Sequence, residues 1–126
     1  GIGQVFVYGT LLSGESRHGC LMEFSPMAQN AAWATADLLD LGSYPGLVPG
    51  AGSVQGEVYA FEDVDKVLGS LDQIEGYRAG EASLYHRVVL QVESGAGAQW
   101  AWTYAYAHEG GVPIPSGDWR EHRTKA

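Results

Sequence analysis

The chain has 126 residues, of which 45% are hydrophobic and 17% charged, so its composition predicts one folded domain rather than a disordered segment. Seven Lys and Arg against fifteen Asp and Glu give a net charge of −8. That balance argues against binding to nucleic acid or to an anionic membrane surface, because both depend on cations. A single cysteine requires no oxidising compartment, no apolar run approaches the ~20 residues of a transmembrane helix, and no secretory signal opens the sequence. We therefore expect a cytoplasmic protein, and the oligomeric state stays open.

The first half of the sequence predicts strands separated by loops. Gln4–Tyr8 is β-branched and aromatic and ends at Gly9, which is typical of a short buried strand. The loop that follows is rich in Gly and Ser and contains one doubtful helical turn at residues 17–22. A long strand is predicted over residues 31–41. Gly and Pro then predict turns at residues 42–46 and 49–52.

The middle of the chain predicts a strand over residues 54–61 and then the one clear helix, from Asp63 to about Ile74. Apolar residues in this helix recur at spacings of three and four and form one stripe: Val64, Val67, Leu68, Leu71 and Ile74. Asp63 is a suitable N-cap, and Gly76 is a suitable C-terminal stop.

Two further strands are predicted over residues 84–92 and 99–107. In the second, aromatic side chains alternate with small ones (Trp100, Trp102, Tyr104 and Tyr106), which favours core packing over a ligand platform in a tightly curved sheet. About five strands with short Gly turns predict an α+β fold: a mainly antiparallel, curled or closed β-barrel with the helix against it. We assign residues 4–119 to one domain and expect residues 120–126 to fray.

Most familiar catalytic patterns are missing from the sequence. The histidines have no metal-ligand spacing, so neither a metal nor a cofactor is expected. There is no phosphate-binding glycine loop and no nucleophile elbow. For Cys20, a buried inert thiol is favoured over a nucleophile.

Two local features could carry chemistry. The strand-to-loop corner Tyr8–Leu11 could present successive backbone N–H groups to a carboxylate or an oxyanion, although most such corners are only turns. Glu75 lies at the last turn of the predicted helix, where the helix dipole disfavours a negative charge. It is either a solvated side chain or a carboxyl whose raised pKa suits acid–base catalysis.

Five segments in order resemble the γ-glutamyl cyclotransferase-like superfamily, and in particular its γ-glutamylamine and butirosin-pathway groups. They are residues 5–11 (VFVYGTL), 54–59 (VQGEVY), 71–77 (LDQIEGY), 85–89 (YHRVV) and 116–119 (SGDW). The match extends over about residues 4–119. Only the loop at residues 76–84 departs from the family pattern, because its length varies within such families.

The resemblance implies a compact barrel with a cavity, in which a γ-glutamyl amide cyclises to 5-oxoproline and releases an amine or peptide without a metal or cofactor. By the same resemblance, Glu75 is the acid–base residue, and Tyr8, Gly9, Thr10 and Leu11 bind the glutamyl group. Arg87 could pair with the substrate carboxylate, although an ion pair within the protein is at least as reasonable a role. The other candidate wall residues are aromatic, and such side chains on loops and strands more often serve packing: Tyr44, Tyr77, Tyr85 and Trp119. The alternatives are a non-catalytic domain that binds small carboxylates and a protein-interaction domain that uses the aromatic strand.

Overall fold

The structure is a computed structural model that describes residues 2–124, so residues 1, 125 and 126 lie outside the described residues. Its elements, in chain order, are β1 (Gln4–Val7), α1 (Gly19–Met22), β2 (Ala28–Asp40), β3 (Pro45–Ala60), α2 (Val64–Glu75), β4 (Tyr85–Ser94), β5 (Gly97–Tyr106), β6 (Val112–Pro113) and α3 (Trp119–Thr124). None of the helices within residues 2–124 has both the length and the apolar character needed to cross a bilayer.

Strands β1 to β5 close into a mixed barrel. Four of its pairings are antiparallel, namely β2 with β3, β3 with β1, β4 with β5, and β2 with β4. The ring closes through a parallel pairing of β1 with β5, at Val5 and Trp102. The short β6 pairs with the end of β2. The predicted α+β fold with a mainly antiparallel, closed barrel is therefore confirmed.

The short strand β1 is buried on both faces, which explains why its sequence does not alternate between apolar and polar residues. Phe6 and Tyr8 belong to the core inside the barrel, where β2 contributes small inward side chains: Ala32, Ala34 and Ala36. Val5 and Val7 belong to a second core, between the barrel and the helices. A strand placed between two cores holds the corner that follows it in a fixed position.

Helix α2 has the limits that its sequence predicts. The Asp63 side chain accepts a hydrogen bond from the Lys66 N–H at 3.3 Å and so caps the first turn. Gly76 adopts a left-handed conformation with φ of 68°, which ends the helix directly after Glu75. The apolar stripe, including Leu68 and Leu71, is buried against the outer face of the barrel. Packing and both caps together fix where Glu75 lies.

Two segments contain regular structure that the sequence-based expectations did not include. The turn predicted at residues 49–52 is an excursion within β3, because Thr35 pairs with Ser53 while Asp37 pairs with Val48.

At the C-terminus, most of the segment expected to fray forms helix α3, whereas residues 125 and 126 lie outside the described residues. Each basic side chain of α3 meets an acid: Arg120 faces Glu57, His122 faces Asp40 and Arg123 faces Glu15.

Candidate active site

A cavity of about 230 Å³ lies where the corner after β1 meets the C-terminal end of α2. The structure brings most of the predicted site residues to its wall: Glu75, Tyr8, Gly9, Thr10, Leu11, Tyr44 and Tyr85. Among the described residues that line the cavity, Glu75 is the only acid and Arg17 the only strong base. The cavity is therefore mostly apolar and aromatic, with one group of each charge.

The corner after β1 lines this cavity and contains backbone N–H groups that lack a partner within residues 2–124. The Leu12 N–H donates to the Gly9 carbonyl at 3.0 Å, and the Arg17 N–H donates to the Thr10 carbonyl at 2.8 Å, so the loop has a defined shape. The N–H groups of Gly9, Thr10 and Leu11 donate to no acceptor within residues 2–124. Successive free N–H groups of this kind suit a carboxylate or an oxyanion.

Gly9 is required at this corner because of a close approach rather than a special backbone angle. A Cβ added to Gly9 would lie 2.6 Å from Pro45 Cγ, far inside van der Waals contact. Pro45 begins β3 and also lines the cavity. Only a residue without a side chain lets the corner and the start of β3 share one wall.

Glu75 combines partial burial with the absence of a partner. Burial in the cavity wall raises the pKa of its carboxyl, and the positive charge of Arg17 offsets part of that shift. Within residues 2–124, no hydrogen bond or ion pair uses the Glu75 side chain. A carboxylate with a raised pKa and free oxygens is suited to accept a proton and to return it.

Three tyrosines of the cavity wall are held by other groups and leave Glu75 free. Each hydroxyl donates a hydrogen bond to an oxygen of another residue: Tyr8 to the Tyr104 carbonyl, Tyr85 to the Pro45 carbonyl at 2.6 Å, and Tyr104 to the Asp72 carboxylate at 2.5 Å. Burial raises the pKa of all three phenols, and the negative charge of Glu75 adds to each shift. They therefore stay protonated and shape the cavity without neutralising its carboxylate.

Three candidate wall residues lie outside the cavity lining. The Arg87 guanidinium is bound by Asp72 at 2.9 Å and lies over the rings of Trp102 and Tyr77, at 5.0 and 5.7 Å. Arg87 and Tyr77 therefore form part of the contact between α2 and the barrel. Trp119 is only 2% exposed and fills the barrel core. These three residues are candidates because they are aromatic or cationic, and in the structure their side chains pack or form an ion pair.

The sequence analysis did not assign to the site two ionisable residues that line the cavity, Arg17 and Tyr104. Arg17 belongs to an irregular loop, and no periodicity or capping pattern links it to Glu75. Tyr104 was assigned to packing within an aromatic strand, but its ring contributes to the cavity wall. The alternation in β5 signalled a buried tyrosine, whereas nothing in the sequence signalled Arg17.

Strand β5 gives limited support to the alternative of a protein-interaction domain. Of the aromatic residues on β5, Trp100 is 57% exposed, whereas Trp102, Tyr104 and Tyr106 are partly or fully buried. The exposed aromatic face that a protein-interaction domain would need is therefore limited to one end of the strand.

Comparison with known proteins identifies the same relationship over nearly the whole chain. Residues 5–121 match the family model described as "Gamma-glutamyl cyclotransferase, AIG2-like". A Vibrio cholerae protein, provisionally named a gamma-glutamylcyclotransferase, is 39% identical over 115 residues, which are 91% of this chain and 93% of that protein. The gamma-L-glutamyl-butirosin B gamma-glutamyl cyclotransferase of Niallia circulans is 33% identical over 97% of this chain and 78% of its own. The crystal structure of YkqA from Bacillus subtilis superposes with a TM-score of 0.76 at 28% identity, over 98% of this chain and 41% of YkqA.

Proposed function

Because the chain belongs to the gamma-glutamyl cyclotransferase, AIG2-like family, we propose that its cavity converts a γ-glutamyl amide to 5-oxoproline and a free amine, amino acid or peptide. The observation that carries the proposal is Glu75, a carboxyl whose pKa burial raises and which has no hydrogen-bond or ion-pair partner within residues 2–124. It shares the cavity wall with Gly9, Thr10 and Leu11, whose N–H groups also lack an acceptor in that part of the chain. This combination supplies a proton acceptor and an anion site within one small space.

In the proposed reaction, the substrate supplies both the nucleophile and the electrophile. Glu75 takes a proton from the α-ammonium of the γ-glutamyl group, and the free amine attacks the γ-amide carbonyl of the same molecule. A new C–N bond closes the five-membered ring and gives a tetrahedral intermediate. Glu75 then returns the proton to the departing nitrogen as the original amide C–N bond breaks. The ring nitrogen still carries a second proton, which it gives to the regenerated Glu75 carboxylate, and Glu75 passes this proton to the released amine or to solvent.

This chemistry needs no covalent enzyme intermediate, metal or cofactor. Holding the glutamyl chain folded provides part of the ~7–11 kcal/mol that a favourable intramolecular geometry can contribute. The N–H groups of Gly9, Thr10 and Leu11 hold either the α-carboxylate or the developing oxyanion, and both roles agree with their position on the cavity wall.

The corner by itself supports a second candidate function. Three free N–H groups can bind a small carboxylate without any reaction, so a non-catalytic binding domain with this fold would use the same cavity. The two functions differ in whether Glu75 takes part.

The deciding experiment is incubation of the purified chain with γ-glutamyl amino acids and γ-glutamyl alkylamines, followed by mass spectrometry of the products. We expect 5-oxoproline and the matching amine in equal amounts. Binding of these compounds without release of 5-oxoproline from any of them would favour the binding domain and contradict the cyclotransferase.

A further inference from the structure

The cavity is small for the substrates that it would serve. Its volume of about 230 Å³ lies below the ~300–1,000 Å³ of sites that enclose drug-sized ligands. We place the glutamyl group, which all the candidate substrates share, inside this space, and the leaving part of the substrate at its mouth, where exposed side chains can contact it.

Arg17 is the charged side chain at that mouth. It lines the cavity, yet the residue is exposed, and its backbone N–H is fixed to the Thr10 carbonyl at 2.8 Å. Within residues 2–124 its guanidinium has no hydrogen bond and no ion pair. The other arginines each face a carboxylate: Arg78 faces Glu81, Arg87 faces Asp72, Arg120 faces Glu57 and Arg123 faces Glu15. Arg17 differs in having its charge available to a ligand.

The two ends of the substrate have different requirements. We adopt the first of the two roles given above for the corner, in which its N–H groups hold the α-carboxylate while the α-amine on the same carbon reaches Glu75. The group attached to the γ-carbonyl points away from that corner and towards solvent. A cation on the exposed rim therefore faces the leaving group.

We propose that Arg17 selects γ-glutamyl compounds whose leaving amine carries a carboxylate, as in γ-glutamyl amino acids and peptides, over those that release a neutral or cationic amine. This inference rests on the proposed cyclotransferase function. It assigns to Arg17 a role in specificity, through an ion pair with the leaving group, and assigns it no part in the proton transfers.

The test compares γ-glutamylglycine with γ-glutamylglycinamide, which has nearly the same shape but lacks the leaving-group charge. For a half-exposed ion pair we expect the unmodified chain to prefer γ-glutamylglycine by about three- to tenfold in kcat/KM. Arg17→Gln should remove this preference by slowing γ-glutamylglycine more than γ-glutamylglycinamide, because the influence of Arg17 on the pKa of Glu75 is common to both substrates. Arg17→Lys should keep part of the preference. Arg78→Gln makes the same change in net charge outside the cavity lining and should leave the preference intact.

Three results would overturn the inference, and they differ from one another. Equal kcat/KM for both substrates in the unmodified chain would show that the charge of the leaving group does not affect specificity. Equal loss on both substrates in Arg17→Gln would show that Arg17 acts on the glutamyl half or on Glu75. Failure of the unmodified chain to release 5-oxoproline from either compound would contradict the proposed function itself, and the inference with it.

Discussion

The loop that follows β1 meets two glutamates in opposite circumstances. Glu57, on β3, is only 7% exposed, and one carboxylate oxygen accepts the Ser13 N–H at 2.8 Å and the Tyr59 hydroxyl at 3.0 Å. Arg120 lies 3.6 Å from its second oxygen. Glu75, on α2, is partly buried in the cavity wall, and its side chain has no such partner within residues 2–124.

The contrast shows how partners decide what a buried carboxylate does. Donors around Glu57 stabilise its charge and use it to tie the loop to β3 and to helix α3. Burial without donors leaves the charged form of Glu75 unfavourable, which raises its pKa and keeps its oxygens available. A satisfied carboxylate supports the fold, and an unsatisfied one at a cavity is a candidate for reaction.

The largest expected effect is the loss of turnover in Glu75→Gln. A general base contributes typically 10²–10⁴-fold, or about 3–5 kcal/mol of barrier. Gln has nearly the same size but cannot accept the ammonium proton, so kcat should fall by that range while γ-glutamyl ligands still bind. Steady-state kinetics with detection of 5-oxoproline, together with calorimetric binding, measures both quantities.

Glu62→Gln is the matched control for this variant. Glu62 is exposed and does not line the cavity, so its replacement removes the same charge without touching the site. We expect its kcat to stay within about twofold of the parent. If Glu75→Gln turned over substrate within threefold of the parent, Glu75 would not be the general base, and the two glutamates would not differ in function.

The next effect concerns the corner that faces Glu75. Gly9→Val should abolish substrate binding, because a Cβ at this position would lie 2.6 Å from Pro45 Cγ and must displace the wall or the loop. Thr10→Ala should have a much milder effect, since the proposed contact uses the backbone N–H. Circular dichroism would verify that both variants are folded. Similar, parental kcat/KM in both would place the substrate away from the corner.

A smaller effect, on stability rather than rate, is expected for Glu57→Gln. The replacement loses the charge that faces Arg120 and weakens the hydrogen bonds from Ser13 and Tyr59. We expect a decrease of about 1–3 kcal/mol in the free energy of unfolding, measured by urea denaturation. An unchanged midpoint would show that Glu57 does not anchor the loop.

The smallest expected effect is that of chelation. The proposed reaction relies on Glu75 and backbone N–H groups, so activity should persist after treatment with EDTA and exhaustive dialysis. A clear loss of activity that a divalent ion restores would show that a metal, rather than the Glu75 carboxylate, has the central role.

Sequence patterns are sufficient where local chemistry and packing agree. The apolar stripe of α2, its cap at Asp63 and its stop at Gly76 are all readable from neighbouring residues, and together they place Glu75 at the helix end. The abrupt end of β1 likewise marks the corner at Gly9. Both features depend on residues that are near one another in the chain.

Features that depend on tertiary contacts are harder to predict from the sequence. Arg87 and Trp119 are attractive wall residues by type, but Asp72 binds the first and the barrel core encloses the second. The Pro and Gly residues after Val48 predict a turn, whereas pairing with β2 on both sides keeps them within β3. The partners of Glu57 come from distant segments, and no spacing in the sequence brings them together.

The most direct test of the central claim, that Glu75 takes the proton, is the pH dependence of kcat/KM. This quantity reports ionisations of the free enzyme. Because the deprotonated carboxylate is the active form, kcat/KM should rise with pH through the pKa of Glu75, which burial raises above the ~4.3 of an ordinary glutamate. The account predicts this acid limb in the parent chain and its loss from the residual activity of Glu75→Gln. An acid limb at or below the pKa of an ordinary glutamate, or the same limb in both proteins, would contradict it.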